Sequence, residues 1–217
     1  MHVVIINGSP RTELYSNTEK IIDSFVEGLS EAGVSYERYV ISKRKNWDKT
    51  REAYLNNTEI IIALPLYVES APGILLEFLE TLPRKDKNTR ISFILQSGFS
   101  EASQLRCGEA FLKKLTDYLG VSYGGTLIKG DNFGIRVAGK EDVIKITGPY
   151  KEMGKAFANE NGFLTETVNR FAGPEYYPLP VRLLLQLMFK TIAKRRFAEA
   201  AAEEFGCSVP LDYKPWS

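Results

Sequence analysis

Val3-Val4-Ile5-Ile6 runs into Asn7-Gly8-Ser9-Pro10-Arg11, and Ser16-Asn17-Thr18 then opens a segment in which Ile21, Ile22, Phe25, Val26 and Leu29 recur at helical spacing. The first four residues read as a short strand buried on both faces, the habit of parallel sheets. The small residues that follow form a turn, and Ser16 with Glu19 has the spacing of a helix capping box. A strand that feeds a tight turn and then a helix aims backbone N–H groups and the positive end of the helix dipole at one point, where a phosphate can sit. Gly8 permits close approach, Ser9, Ser16 and Thr18 offer hydroxyls, and Arg11 offers a charge.

Which kind of phosphate loop this is follows by exclusion. No Gly-Lys-Ser/Thr occurs, so it is no P-loop. Gly8 stands alone where a dinucleotide fingerprint needs three glycines. No cysteine follows the first strand, which excludes a Cys-x5-Arg phosphatase loop. A hydroxyl-rich loop that binds a dianionic monophosphate without hydrolysing it is what is left.

The same strand-then-helix rhythm continues. Tyr36–Ile41 reads as a second strand, Ser42–Asn57 as a polar stretch with a short helix, and Glu59–Leu64 as a third strand halted by Pro65. Pro72-Gly73 opens a helix through Leu82, Ile91–Gln96 is a fourth strand, Ser103–Leu119 a helix and Ser122–Lys129 a fifth strand. A loop from Gly130 to Gly148 and a helix Tyr150–Phe171 follow. Such alternation with short connections predicts a doubly wound α/β fold with a five-stranded parallel sheet. Ligands in these sheets bind beyond the carboxyl ends of the strands where strand order reverses. Loops 7–18, 65–72 and 97–103 are therefore expected to meet there.

Composition sets limits. The 217 residues carry 28 Lys plus Arg against 27 Asp plus Glu, so no net field favours nucleic acid. Cys107 and Cys207 match no metal or disulfide spacing, and Cys107 reads as an inert packed thiol. Met1-His2 leads directly into a strand without a leader pattern, and no apolar run approaches the roughly 20 residues of a membrane span. These features predict a soluble cytoplasmic protein without a membrane span or a metal site. His2 reads as an edge-strand side chain, and Asp131-Asn132 as turn residues.

Residues 1–172 are expected to form one domain and 173–217 a helical extension without independent status. Gly173-Pro174 and Pro178-Leu179-Pro180 punctuate the junction, and a single helix is predicted over Val181–Glu204. Leu183–Phe189 is apolar nearly all round, whereas Lys190, Lys194, Arg195 and Arg196 crowd the second half. A lid, an oligomer contact or a membrane-surface helix would each suit it. The reading taken is a helix packed on the body with a solvated basic end. The apolar excess further predicts a homodimer or homotetramer.

Asn7-Gly8-Ser9-Pro10-Arg11 with Ser16-Asn17-Thr18, followed by Leu64-Pro65-Leu66-Tyr67, Pro72-Gly73 and Phe78-Leu79, resembles the flavodoxin-like NAD(P)H-dependent FMN reductases, a superfamily that includes quinone reductases and iron–sulfur flavoproteins. The resemblance covers residues 3–130. It implies FMN as cofactor and NAD(P)H as co-substrate, with electrons passed in a ping-pong cycle to a small acceptor such as a quinone, flavin, nitro or azo compound. Ser9, Arg11, Ser16, Asn17 and Thr18 would hold the FMN phosphate. Pro65, Leu66, Tyr67 and Val68 would border the ring, and Ser97, Gly98 and Phe99 would close its other edge. No side chain is implied as catalytic, because the cofactor performs the redox step.

Two departures stand out. Ser42–Asn57 holds none of the cysteines that iron–sulfur relatives carry, which excludes a cluster on ligand count. The loop Ser97-Gly98-Phe99-Ser100-Glu101 has less glycine than many relatives have there. Glu19 lies close to the expected dianion and can turn back to its own cap. An electron-transfer flavodoxin and a flavin-free interaction module are the alternative readings.

Overall fold

A computed structural model describes residues 1–206 apart from Thr191. Its centre is a parallel sheet of β1 (His2–Asn7), β2 (Ser35–Val40), β3 (Glu59–Pro65), β4 (Arg90–Gln96) and β5 (Ser122–Lys129). The strands lie in the order β2-β1-β3-β4-β5, the flavodoxin-like winding. β1 pairs with β2 from His2↔Ser35 and with β3 from Val4↔Ile60. The three inner strands are buried almost without interruption: Val3 to Ile6, Ile60 to Leu64 and Ile91 to Leu95. Apolar, β-branched runs of this kind suit a sheet covered on both faces.

Helices supply that cover. α1 (Asn17–Glu31), α2 (Trp47–Asn56), α3 (Gly73–Glu80) and α4 (Arg106–Leu119) follow the first four strands. Beyond β5 come α5 (Gly134–Val137), α6 (Lys140–Glu160) and α7 (Thr165–Ala172). Trp47 of α2 meets Phe78 of α3 edge-on at 5.5 Å, and Phe25 of α1 meets Phe157 of α6 at 6.0 Å.

The stretch after β5 departs from expectation. Residues 130–148, expected as loop, hold α5 and the start of α6, and Pro149 lies inside α6 rather than ahead of a helix. Asn161 in the left-handed region then ends α6 where a continuous helix to Phe171 was expected. A proline costs a helix one backbone hydrogen bond, and this one sits on the exposed side of α6, where the freed carbonyl can be solvated. The expected helix Ser103–Leu119 begins as a 3-10 turn, Ala102–Leu105, before α4 proper.

Contacts divide the chain into residues 1–175 and 176–217. The second unit contains α8 (Leu179–Lys190) and α9 (Ile192–Phe205) where one helix was expected. Leu183, Leu184 and Leu187, expected to be packed, are exposed. Cys207 lies outside the described residues.

α1 and α6 approach so closely that each needs a glycine at the crossing. A Cβ on Gly28 would lie 1.9 Å from the Lys151 carbonyl oxygen, and one on Gly154 would lie 2.1 Å from the Phe25 carbonyl oxygen. Backbone cannot yield as a flexible side chain can. Gly73, in the first turn of α3, faces nothing within 4 Å. Gly154→Ala should therefore cost at least about 2 kcal/mol by forcing the helices apart. Gly73→Ala should stabilise by about 0.4–1 kcal/mol by restricting the unfolded chain. Urea midpoints at constant m-value read both signs.

Candidate functional site

Strand order reverses between β1 and β3, so the connections leaving these strands diverge and open a crevice at their carboxyl ends. The first wall is the β1–α1 turn. Asn7, Ser9, Ser16 and Thr18 are all buried there, and Arg11 is exposed beside them. The Gly8 amide donates to the Ala63 carbonyl of β3 at 2.8 Å, pinning the turn to the sheet edge. The Ser9 amide donates to Asn7 Oδ1 at 2.9 Å, and the Arg11 amide to Ser9 Oγ at 3.3 Å.

Three buried hydroxyls share one chemical state. Ser9 Oγ accepts from the Arg11 amide, Ser16 Oγ from the Glu19 amide at 3.1 Å, and Thr18 Oγ1 from Gln96 Nε2 at 3.4 Å. Each bond uses the oxygen as acceptor, so each hydroxyl keeps its own proton to donate. The first N–H groups of α1 have no partner within the helix and join them. Such a donor-rich set suits an anion. Asn17 extends a different contact: its Nδ2 donates to the Asn132 carbonyl at 3.0 Å, while its Oδ1 is buried with no hydrogen-bond partner.

Glu19 does not turn back to its own cap as expected. Its carboxylate receives the Asn7 amide and the Arg38 guanidinium, and Arg38 also holds Asp23 at 2.7 Å. A carboxylate one turn into α1 is thus matched by a cation on β2, and Asn7 is oriented by the same bond. The capping half of the Ser16–Glu19 box is present, and the reciprocal half is replaced by this ion pair.

The second wall is the β3–α3 connection. Tyr67 and Ser70 exchange backbone hydrogen bonds at 2.9 and 3.0 Å, closing a two-residue hairpin. Its tip residues, Val68 at φ 45° and Glu69 at φ 65°, both occupy the left-handed region. That is the type I′ pattern, which favours Asn-Gly and is costly for a β-branched residue. Tyr67 is 43% and Val68 85% exposed, whereas Pro65 and Leu66 are buried. Leu66 turns toward α4, where it meets Gly108 and lines a cavity of about 160 Å³ with Leu64, Leu95 and Phe111. It supports the loop from beneath. Cys107, expected to be packed, is exposed, with Sγ 3.8 Å from the Glu69 carbonyl oxygen.

The third wall joins the loops after β4 and β5. Ser97 is buried, Phe99 is 58% exposed and Gly98 lies against Phe133. The Asp131 amide donates to the Phe99 carbonyl at 2.9 Å, and the Asn132 amide to the Ser97 carbonyl at 3.0 Å. A Cβ on Gly130 would stand 2.0 Å from the Phe99 oxygen, so this contact requires glycine.

Asn132, expected as a plain turn residue, is the buried junction of the site. Its Nδ2 donates to the carbonyls of Lys129 and Gly130 at 2.9 and 3.1 Å, and its Oδ1 accepts from the Tyr150 hydroxyl at 3.2 Å. Its main chain ties the β4 loop to Asn17 on α1. Burial pushes the Tyr150 hydroxyl well above the ordinary tyrosine range, so it stays neutral and serves as a fixed polar contact. His2 lies at the opposite end of β1, bonded to Ser35. The larger groove of about 330 Å³ beside Arg106, Tyr123 and Asn169 is likewise away from the crevice.

No protein-family model and no curated protein matches the sequence. Solved structures do. An NAD(P)H:quinone oxidoreductase from Methanothermobacter marburgensis is 17% identical, with 76% of this chain and 98% of that one aligned at a TM-score of 0.55. An FMN-dependent NADH-azoreductase from Bacillus anthracis str. Ames Ancestor, in complex with FMN, is 15% identical over 75% and 99% of the two chains, also at 0.55. The apo form of an NADH:FMN oxidoreductase is 18% identical over 83% and 97% at 0.54. At these identities the likeness is one of fold.

The strained tip yields a direct check. Replacing Val68-Glu69 with Asn-Gly should raise stability by about 1–3 kcal/mol, since both residues then suit a positive φ. A rise in thermal midpoint with unchanged far-UV circular dichroism is the expected result.

Proposed function

We propose that the protein is an FMN-dependent NAD(P)H oxidoreductase that delivers electrons to a small acceptor, such as a quinone, a flavin or a nitro or azo compound. The observation that carries this reading is the set of three buried hydroxyls, each accepting from an N–H group and each retaining a proton, at the start of α1 and at the reversal of strand order. Ser9, Ser16 and Thr18 donate to a phosphate there. Arg11 adds a mobile positive charge from the exposed side, and Asn17 and Thr18 add backbone N–H groups.

The remainder of the crevice suits a flat polycyclic ring with a polyol chain. The buried, unpartnered Oδ1 of Asn17 can accept from a sugar-chain hydroxyl. Tyr67 and Val68 present apolar surface on one side, where a surface loop would otherwise be polar. Pro65 and Leu66 brace that wall from below. Ser97, Gly98 and Phe99 form the other edge, with backbone groups held in place by Asn132. FMN, when bound, supplies acceptance of a hydride from NAD(P)H and its onward delivery as electrons. The chain's own task is to anchor, orient and screen from water, with no side chain required to move a proton. NAD(P)H and acceptor occupying one slot in turn gives a ping-pong cycle. The fold neighbours whose names carry FMN, quinone or azo reduction support the same chemistry.

Steady-state NADPH or NADH oxidation with menadione as acceptor tests the activity: turnover is expected, and an electron-transfer flavodoxin would show none of its own. Arg11→Ala should weaken FMN binding by roughly 1–3 kcal/mol, the range for a charge-assisted hydrogen bond. Riboflavin, which lacks the phosphate, should bind the wild type poorly and lose little in the variant. Equal losses for the two flavins would remove Arg11 from the phosphate site.

A further inference from the structure

Leucine and cationic rows adjoin on the surface of α8. Leu179, Leu183 and Leu187 follow one another at four-residue spacing, and Leu184 starts the adjoining row. These four leucines are exposed to 66, 56, 61 and 57% in that order. Arg182, Gln186 and Lys190 form a separate row at the same spacing and are exposed as well. Around this helix the sequence is one-sided in charge. From Tyr176 to Ala198 it carries Arg182, Lys190, Lys194, Arg195 and Arg196 and not one Asp or Glu, in a chain whose overall balance is 28 cations to 27 anions. Arg195 is held by Glu199 at 2.9 Å, and Arg182, Lys190 and Arg196 lie exposed.

We propose that α8 docks the protein on an anionic lipid surface, its leucine rows entering the headgroup boundary while Arg182, Lys190 and Arg196 lie among the lipid phosphates. Leucines need an apolar phase and the cations need anions, and a membrane interface offers both within one helix diameter. Free polyanions such as nucleic acid would satisfy the charge and leave the leucines in water. A second copy would bury the leucines, but an isologous contact sets a surface against itself. Along α8 itself Arg182 and Lys190 would meet only their like in the copy.

Length decides how the helix sits. The 12 residues of α8 span about 18 Å at 1.5 Å each, against a hydrocarbon core of about 30 Å. Among the described residues no helix is long and apolar enough to cross a membrane. α8 therefore lies in the plane of the interface. The inference does not depend on the redox reading.

Co-sedimentation of the intact protein with vesicles tests it. Pelleting is expected with phosphatidylcholine–phosphatidylserine vesicles, weakening at least about tenfold on phosphatidylcholine alone and falling with added salt. The triple variant Arg182→Gln, Lys190→Gln, Arg196→Gln should bind roughly a hundredfold more weakly, at about fivefold for each cation. Leu183→Asp with Leu187→Asp should abolish binding. These positions are exposed, so circular dichroism should stay unchanged; if the leucine variant loses helix, the charge variant alone still decides. Absence of pelleting on anionic vesicles at low salt overturns the proposal, as does equal pelleting of wild type and charge variant. A lipid-free dimer in light scattering that Leu183→Asp dissociates also overturns it, by assigning the face to a second copy.

Discussion

A strand buried on both faces has no room for a ligand along its length, so recognition is pushed to its end. β1 is such a strand: Val3 to Ile6 are enclosed by helices above and below and by β2 and β3 at the sides. Parallel pairing forces each connection to cross the sheet, and because β1 leads outward to β2 while β3 starts the other half, the two turns part at one place. Everything proposed for the site rests on that parting. It puts the start of α1, the Tyr67 hairpin and the Ser97 loop at the carboxyl ends of their strands.

The proposed anion poses an electrostatic problem that the chain would solve locally. Glu19 lies within the first turn of α1, where its charge favours the helix dipole yet opposes a neighbouring phosphate. Arg38 from β2 takes up that charge, and Asn7 is fixed in the same bond. The three hydroxyls can then act as donors without a competing carboxylate. At the far side Asn132 performs the matching mechanical task, joining the β4 loop, the β5 loop, α6 and α1 through one buried amide and its main chain.

Much of this was legible in the residue pattern. Apolar runs marked the three inner strands within a residue or two, because burial on both faces writes such a run, while the half-buried β2 and β5 were legible from their place between helices and turns. The Ser16 cap and the Tyr67 loop were legible for similar reasons: local chemistry with local partners. What escaped depended on distant partners. Nothing in Arg38 marks it as the counter-ion of a residue 19 positions away, and Asn132 looks like any turn asparagine until Tyr150 and Asn17 are folded onto it. The early start of α6 escaped for another reason, since a helix accepts Pro149 where water can serve the orphaned carbonyl.

The most direct test of the central claim is the visible absorption spectrum of the intact protein after incubation with FMN and removal of free flavin, recorded before and after anaerobic addition of NAD(P)H. The account predicts retained flavin bands that bleach on adding the nicotinamide. Protein that emerges flavin-free, or flavin bands that persist unbleached with both NADH and NADPH, would contradict it.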